Sequence, residues 1–409
     1  MASAASVRPE VQHINELRAS ERELHWARTR SFMDERRLDA LLIFGSDRFG
    51  ADTFVTNDQP SMTVVFPRDG EMTATSSFGQ LRRTTHFIGA ERGEHSWVED
   101  VRHTRSGHEL VEVLQEKGLN SASIGVIGEG WVPYSTWHTV INEMTEAQFT
   151  DVTWDFGLML MARTPADVEC LREAAAIGEE ACKAMVEVTR VGASEADFLA
   201  VMFEVFTRRG ARTPMTMLSS GPDNFAWGPP IWFARPQPPR TFASGDVVQA
   251  ELFPTFGGLE SQQQIAVAIG RLNSDQERCA TAARRSYEAG LEVIRPGITF
   301  GELCDAMERP VSEVNGWHLS PLVHPLNPIL VPGPMSPAEK YVPELADRYV
   351  IKPSADAANR DFELQAGMGF AFQPNCCLGR YRVNVGGTVL VTESGGEELN
   401  EICNELLRV

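Results

Sequence analysis

Two regimes of apolar and polar patterning divide the 409 residues. Up to residue 160 the apolar positions come in short runs: LDALLIFG, SMTVVFP, EMTATSSF and SASIGVIG. Such runs, bounded by Gly, Pro, Asp and Ser, predict strands. The segment ERELHWARTRSFMDERR predicts a charged amphipathic helix, and HELVEVLQEKG predicts another. Residues 1–20 are polar and predict a loose arm or a short helix. Strands alternating with helices give an α/β layer domain over residues 1–160.

The pattern changes at Arg163. Thr164 stands as an N-cap, Pro165 at the first helical position and Asp167 in the first turn, so a helix starts here. A second helix, EADFLAVMFEVFTRRG, ends on a glycine. SGPDNFAWGPPIWFARPQPPR, rich in Gly, Pro and aromatics, predicts a loop. GDVVQAELFPTFGGLESQQQIAVAIG predicts a β-hairpin bent at Gly257-Gly258. SDQERCATAARRSYEAGLEVI and ITFGELCDAMERPVSE predict two more helices, and short strands fill the rest. Residues 161–409 therefore predict an α+β domain.

Charge and composition narrow the function. A net charge of -19 and no Lys/Arg block argue against nucleic acid. No stretch approaches the ~20 apolar residues of a membrane span, and the N-terminus lacks the apolar core of a secretory signal. The seven cysteines are scattered, odd in number and free of CxxC spacing. Reduced thiols in a cytoplasm are expected, rather than a disulfide framework or a zinc site.

Six segments in order carry a resemblance: RTPADVECLREAA, SGPDNFAWG, the hairpin, RPGITFGELCDAM, GWHLSPLVH with AGMGFAFQP, and GGTVLVTESGGEELN. Together they resemble the pita-bread fold shared by prolidase, aminopeptidase P, methionine aminopeptidase and creatinase. The N-terminal domain is similar, more weakly, to the creatinase-type N-terminal domain. The resemblance implies a pita-bread domain behind a creatinase-type α/β domain, and a homodimer. Its dinuclear metal site would fall on Glu251, Gln262, Trp317, Gln373 and Gly386. The histidine closing the family's Ser-Gly loop falls on Gly228, and the second, non-ligand histidine survives as His324. Amides and glycine now stand where clustered carboxylates would need cations to offset their repulsion. No metal and no cofactor are expected, which points to the creatinase-like, metal-free branch.

Creatinase's own carboxylates fall on Gln264 and Gln373, so creatine is not the expected substrate. The expectation is a metal-independent hydrolase of a small C–N substrate: an amide, an amidine or a ring containing one. A non-catalytic binding module and a lyase on the same scaffold stay open beside it. Glu251 is the candidate base or nucleophile and His324 the candidate general acid. Gln262, Gln264 and Gln373 would orient the substrate, Trp317, Phe225 and Trp227 would wall the pocket, and Arg382 would meet a substrate carboxylate. Glu260 and His318 are further candidate contacts. Tyr381 and the pair Cys376-Cys377 lie close by, buried inert thiols being the ordinary reading for the cysteines.

Overall fold

The computed structural model describes residues 9–58, 60–77, 96–223, 225, 227–328, 333, 342, 344 and 360–409. Contacts divide the chain into two units, Met1–Leu160 with Pro165–Asp167, and Met161–Thr164 with Val168–Val409.

The first unit is built on a mixed six-stranded sheet in the order β4-β3-β2-β1-β5-β6. Its strands are β1 (Ala40–Phe44), β2 (Thr63–Pro67), β3 (Thr73–Ser76), β4 (Asp100–His103), β5 (Ser123–Ile127) and β6 (Gln148–Asp151). β1 pairs antiparallel with β2 and parallel with β5. The helices are α1 (Pro9–Ser20), α2 (Arg22–Arg36), α3 (Ala51–Thr56), α4 (Gly107–Glu116), α5 (Tyr134–Glu143) and α6 (Thr153–Met161). The polar segment at the N-terminus thus contains a helix, while residues 1–8 lie outside the described residues. The four apolar runs form β1, β2, β3 and β5. The edge strands β4 and β6, with DVRH and QFTD, carry no apolar run to betray them. Short charged edges are what keeps a sheet from adding a foreign strand.

The second unit has two halves of similar construction. In the first, α7 (Pro165–Val188) and α8 (Glu195–Arg209) accompany the sheet β18-β11-β8-β7. Its strands are β7 (Thr216–Gly221), β8 (Val247–Leu252), β11 (Gln263–Ala268) and β18 (Leu407–Arg408). In the second, α9 (Ser274–Val293) and α10 (Phe300–Glu313) accompany β12 (Val323–Pro325), β13 (Gly369–Phe372), β16 (Thr388–Thr392) and β17 (Gly395–Glu398). Each half starts its second helix with a capping box. Ser194 exchanges bonds with Asp197, and Thr299 with Glu302. A ribbon of β14 (Asn375–Leu378) and β15 (Tyr381–Asn384) completes the unit.

The predicted hairpin forms, but in two tiers. β8 and β11 pair antiparallel, and the tip carries its own small ladder, β9 (Thr255–Phe256) with β10 (Leu259–Glu260). Gly257 and Gly258 both take positive φ, 55° and 81°, as a tight two-residue hairpin turn requires. Pro254 has no N–H to give the ladder, so pairing breaks there. The break frees Gln262, whose backbone N–H donates to Thr388 Oγ1 at 2.9 Å instead.

Candidate functional site

Strand alternation sorts the central hairpin into an apolar and a polar face. Val248, Ala250, Leu252, Ile265 and Val267 enter the core, with Met185 of α7 and Phe198 of α8. Gln249 and Glu251 therefore point the other way. Register puts Gln264 opposite Glu251, with Met217 on its other flank and Ser219 opposite Gln249. Gln263 turns to the helix side, where its Nε2 donates to Ser261 and Asn400. It fits because residue 178 is glycine: a Cβ there would lie 1.9 Å from Gln263 Oε1.

Glu251 is the centre of the polar face and is only 5% exposed. Gln264 Nε2 donates to its Oε1 at 2.9 Å, and Trp227 Nε1 donates to its Oε2 at 3.2 Å. Gln264 also reaches Gln373 Oε1 at 3.4 Å, and Gln373 Nε2 is anchored on Pro321 O at 2.8 Å. Four of the predicted residues, Glu251, Gln264, Gln373 and Trp227, thus share one network. An amide and an indole N–H hold the carboxylate where cations would stand in a metal site.

β15 lies beside this face. The Asn384 backbone N–H donates to Gln249 Oε1 at 2.8 Å, and Gly386, just beyond, bridges to Gln264. Arg382, two residues before Asn384, is buried with its guanidinium carbon 4.1 Å from the centre of the Trp227 ring. None of its three nitrogens has a hydrogen-bond partner. Burial pushes this guanidinium down to about 10, against the opposing pull of Cys377 and Glu251, so it stays charged near neutrality. Ser219 Oγ, Gln249 Nε2, Gln264 Oε1 and Asn384 Oδ1 are likewise buried without partners. Ser219, Gln249 and Asn384 were not among the predicted residues. The signal was there: Gln249 stands two before Glu251 and Asn384 two after Arg382, the strand period.

The other predicted residues sit in different settings. Gln262 Nε2 donates to Glu260 Oε1 at 2.8 Å, and the Glu260 N–H is taken by Asn327 Oδ1 at 2.6 Å. His324 lies on β12, paired with Ala371, on a different sheet from Glu251, and its Nδ1 meets Pro325 O at 2.9 Å. His318 meets Ser320 O through Nδ1 at 2.9 Å and the Glu308 carboxylate through Nε2 at 2.7 Å, which tie it to α10. Trp317 is buried, donates to Gly379 O at 3.3 Å and packs edge-on against Phe225, ring centres 5.9 Å apart. Tyr381 opposes Leu378 in the ribbon. Cys376 and Cys377 are buried, and both thiols are pushed up, Cys376 first by its bond with Cys279 and Cys377 by desolvation. Neither suits a nucleophile.

The resemblance implies a pair of metal ions, so the donor set is the test. Such ions need several carboxylate or imidazole groups at one point. Among the described residues no group of three or more His, Cys, Asp or Glu could hold a metal ion. Of the five family positions only Glu251 carries such a donor. Gly386 has φ +142°, and a Cβ there would stand 1.9 Å from Phe372 O, so no side chain fits. The residues present do not fit the family's metal pair.

The family model "Metallopeptidase family M24" matches residues 169–393. The chain belongs to metallopeptidase family M24. It is 26% identical to the probable dipeptidase PepE of Mycobacterium bovis over 252 residues, 61% of this chain and 61% of that protein. The chain thus matches under two thirds of that relative's length. Among solved structures, X-Pro aminopeptidase from Thermotoga maritima aligns with TM-score 0.73 at 16% identity, over 94% of this chain and 99% of that one. Dipeptidase PepE from Mycobacterium ulcerans aligns with TM-score 0.70 at 18% identity, over 96% and 98%. The pita-bread fold behind an α/β domain is therefore established. The expected substrate is corrected by the same relatives, whose names speak of dipeptides and X-Pro peptides rather than non-peptide C–N compounds. That expectation rested on lost carboxylates. Those report how a site does chemistry, and say little about which bond its walls accept.

Proposed function

We propose that this M24 member is a hydrolase that admits a short peptide beside Glu251 and works without the family's metal pair, as in the metal-free creatinase-like branch. The observation that carries this is the buried Glu251 carboxylate, held by Gln264 and Trp227 on a polar, otherwise unsatisfied sheet face. Glu251 takes a proton from the attacking water as general base, a second proton is delivered to the leaving amine as the C–N bond breaks, and the proton held by Glu251 then restores that donor. His324 is the proposed donor to that amine. Gln264 and Gln373 keep the carboxylate aimed, Gln262 and Glu260 lie at the hairpin's break, and Phe225, Trp227 and Trp317 supply apolar wall. A panel of dipeptides, X-Pro dipeptides included, incubated in excess chelator tests this by release of free amino acid. Turnover that persists in chelator and falls about 100-fold or more in Glu251→Gln is expected. Turnover that vanishes in chelator and returns with Mn²⁺, or no release from any dipeptide, overturns it.

Two further proposals concern setting. Seven buried cysteines, none of them in a disulfide, support a reducing, cytoplasmic location. Exposed Trp131, Tyr134 and Ile141, within eleven residues of one another along the first unit's sequence, support a homodimer. A monomer by light scattering would remove the latter.

A further inference from the structure

Each oxygen of the Glu251 carboxylate is already taken. Gln264 Nε2 donates to Oε1 at 2.9 Å and Trp227 Nε1 to Oε2 at 3.2 Å, and the group is buried. The two donors are fixed in different ways. Gln264 sits in the ladder: it opposes Glu251 on β8, and its own N–H donates to Gly386 O at 2.8 Å. Trp227 lies outside every strand and helix, between β7 and the turn at Ile231–Phe233. The backbone is anchored on either side of it. Pro222 O accepts from Gln276 Nε2 of α9 at 2.7 Å, and Gly228 O accepts the Leu218 N–H at 2.9 Å. Trp227 itself is half-buried, so one part of the ring meets solvent while another covers Glu251. The same ring lies 4.1 Å from the Arg382 guanidinium, whose nitrogens have no hydrogen-bond partner. One side chain thus covers the anion and the cation of this face together. It gives each the part of an indole it prefers, the ring face to the cation and the N–H to the carboxylate.

A general base works on a water within hydrogen-bond reach. Gln264 is held in its strand and keeps Oε1, so Oε2 is the oxygen that must meet the water, and Trp227 stands on it. We infer that Trp227 is an autoinhibitory plug: seated, it closes the face that holds Glu251, and water and substrate enter only after the indole swings out. This rests on the reading of Glu251 as the base and adds a regulation to it. Turnover is then set by the share of molecules in which Trp227 has left, and apparent affinity for substrate is reduced by the same fraction.

Labelling of carboxyl groups by a water-soluble carbodiimide with glycinamide, mapped by mass spectrometry, tests this with no substrate present. Glu260, buried on the same hairpin and bonded to Gln262, is the internal control. With the open form a minor state of about 10% or less, Trp227→Ala is expected to label Glu251 at least about tenfold faster than the wild type. Glu260 is expected to keep its rate. The inference is overturned if Glu251 labels alike in the wild type and Trp227→Ala. If Trp227→Ala quickens Glu260 as well, Trp227→Phe decides, since it keeps a ring over Arg382 and loses only the N–H. Faster Glu251 with unchanged Glu260 in that variant supports the plug, and any other result there overturns it. Amino-acid release is no part of this readout, so the two readings fail separately. The expected labelling on a chain that releases nothing keeps the plug and removes the hydrolase. Release with equal labelling keeps the hydrolase and removes the plug.

Discussion

At the scale of single residues, the positions that matter divide into those a sequence shows and those only a fold shows. Glu251, Gln264 and Gln373 are legible because strand period and family spacing name them, and they meet in one network. Gly386 is legible as a missing ligand but not as a closed one, since the Phe372 carbonyl that fills its side-chain space comes from another strand. Gly386→Ala is therefore expected to destabilise by about 3 kcal/mol or more, from the clash and the positive φ together, measured as a shifted urea midpoint. Wild-type stability in that variant would mean the Phe372 strand can retreat. Arg382 is legible as a candidate, yet its lack of partners follows from the placing of Trp227, which lies in a loop that no periodicity can position.

At the scale of elements, local chemistry foretold the helices best. Thr164-Pro165 opens α7, Ser194 and Thr299 open α8 and α10, and glycine closes α8. α3 escaped the sequence reading. Its six residues, ADTFVT, are too short for a helical period and are all buried. It carries one charge, Asp52, whose Oδ2 accepts the Met62 N–H at 3.0 Å just ahead of β2, in space left by Gly45. Burial pushes this carboxyl from 3.8 up to about 6. A carboxyl with a raised folded value favours the protonated form, so its contribution is fully present below about 3.8 and is lost as pH rises through about 6. Asp52→Asn keeps an acceptor for Met62 and removes the charge. It is expected to gain up to about 3 kcal/mol over the wild type above pH 6, the difference closing toward pH 4. Denaturant midpoints across that range check it, and a pH-independent difference would show that the carboxyl titrates alike in both states.

At the scale of the whole molecule, order of segments outweighed any one of them. Six matching pieces in sequence fixed the second unit's fold, whereas β4 and β6 of the first unit, polar and four residues each, left no mark. The substrate class was not legible, because it depends on walls contributed by distant loops. The donor set makes a global expectation. Mn²⁺, Co²⁺ or Zn²⁺ should not raise the melting temperature beyond what Mg²⁺ does, since a ligand stabilises only through a site it occupies. Mg²⁺ is the control for the screening that any divalent cation gives a chain of net charge -19. A specific rise with one transition metal would reveal a site built from residues beyond those described.

The seven thiols are buried and in no disulfide, and every one of them belongs to the second unit. Alkylation by a bulky reagent must then wait for that unit to open, while the first unit can breathe unseen. The chain so carries its own clock for half of its length: labelling rates under native conditions time the opening of the site-bearing unit alone.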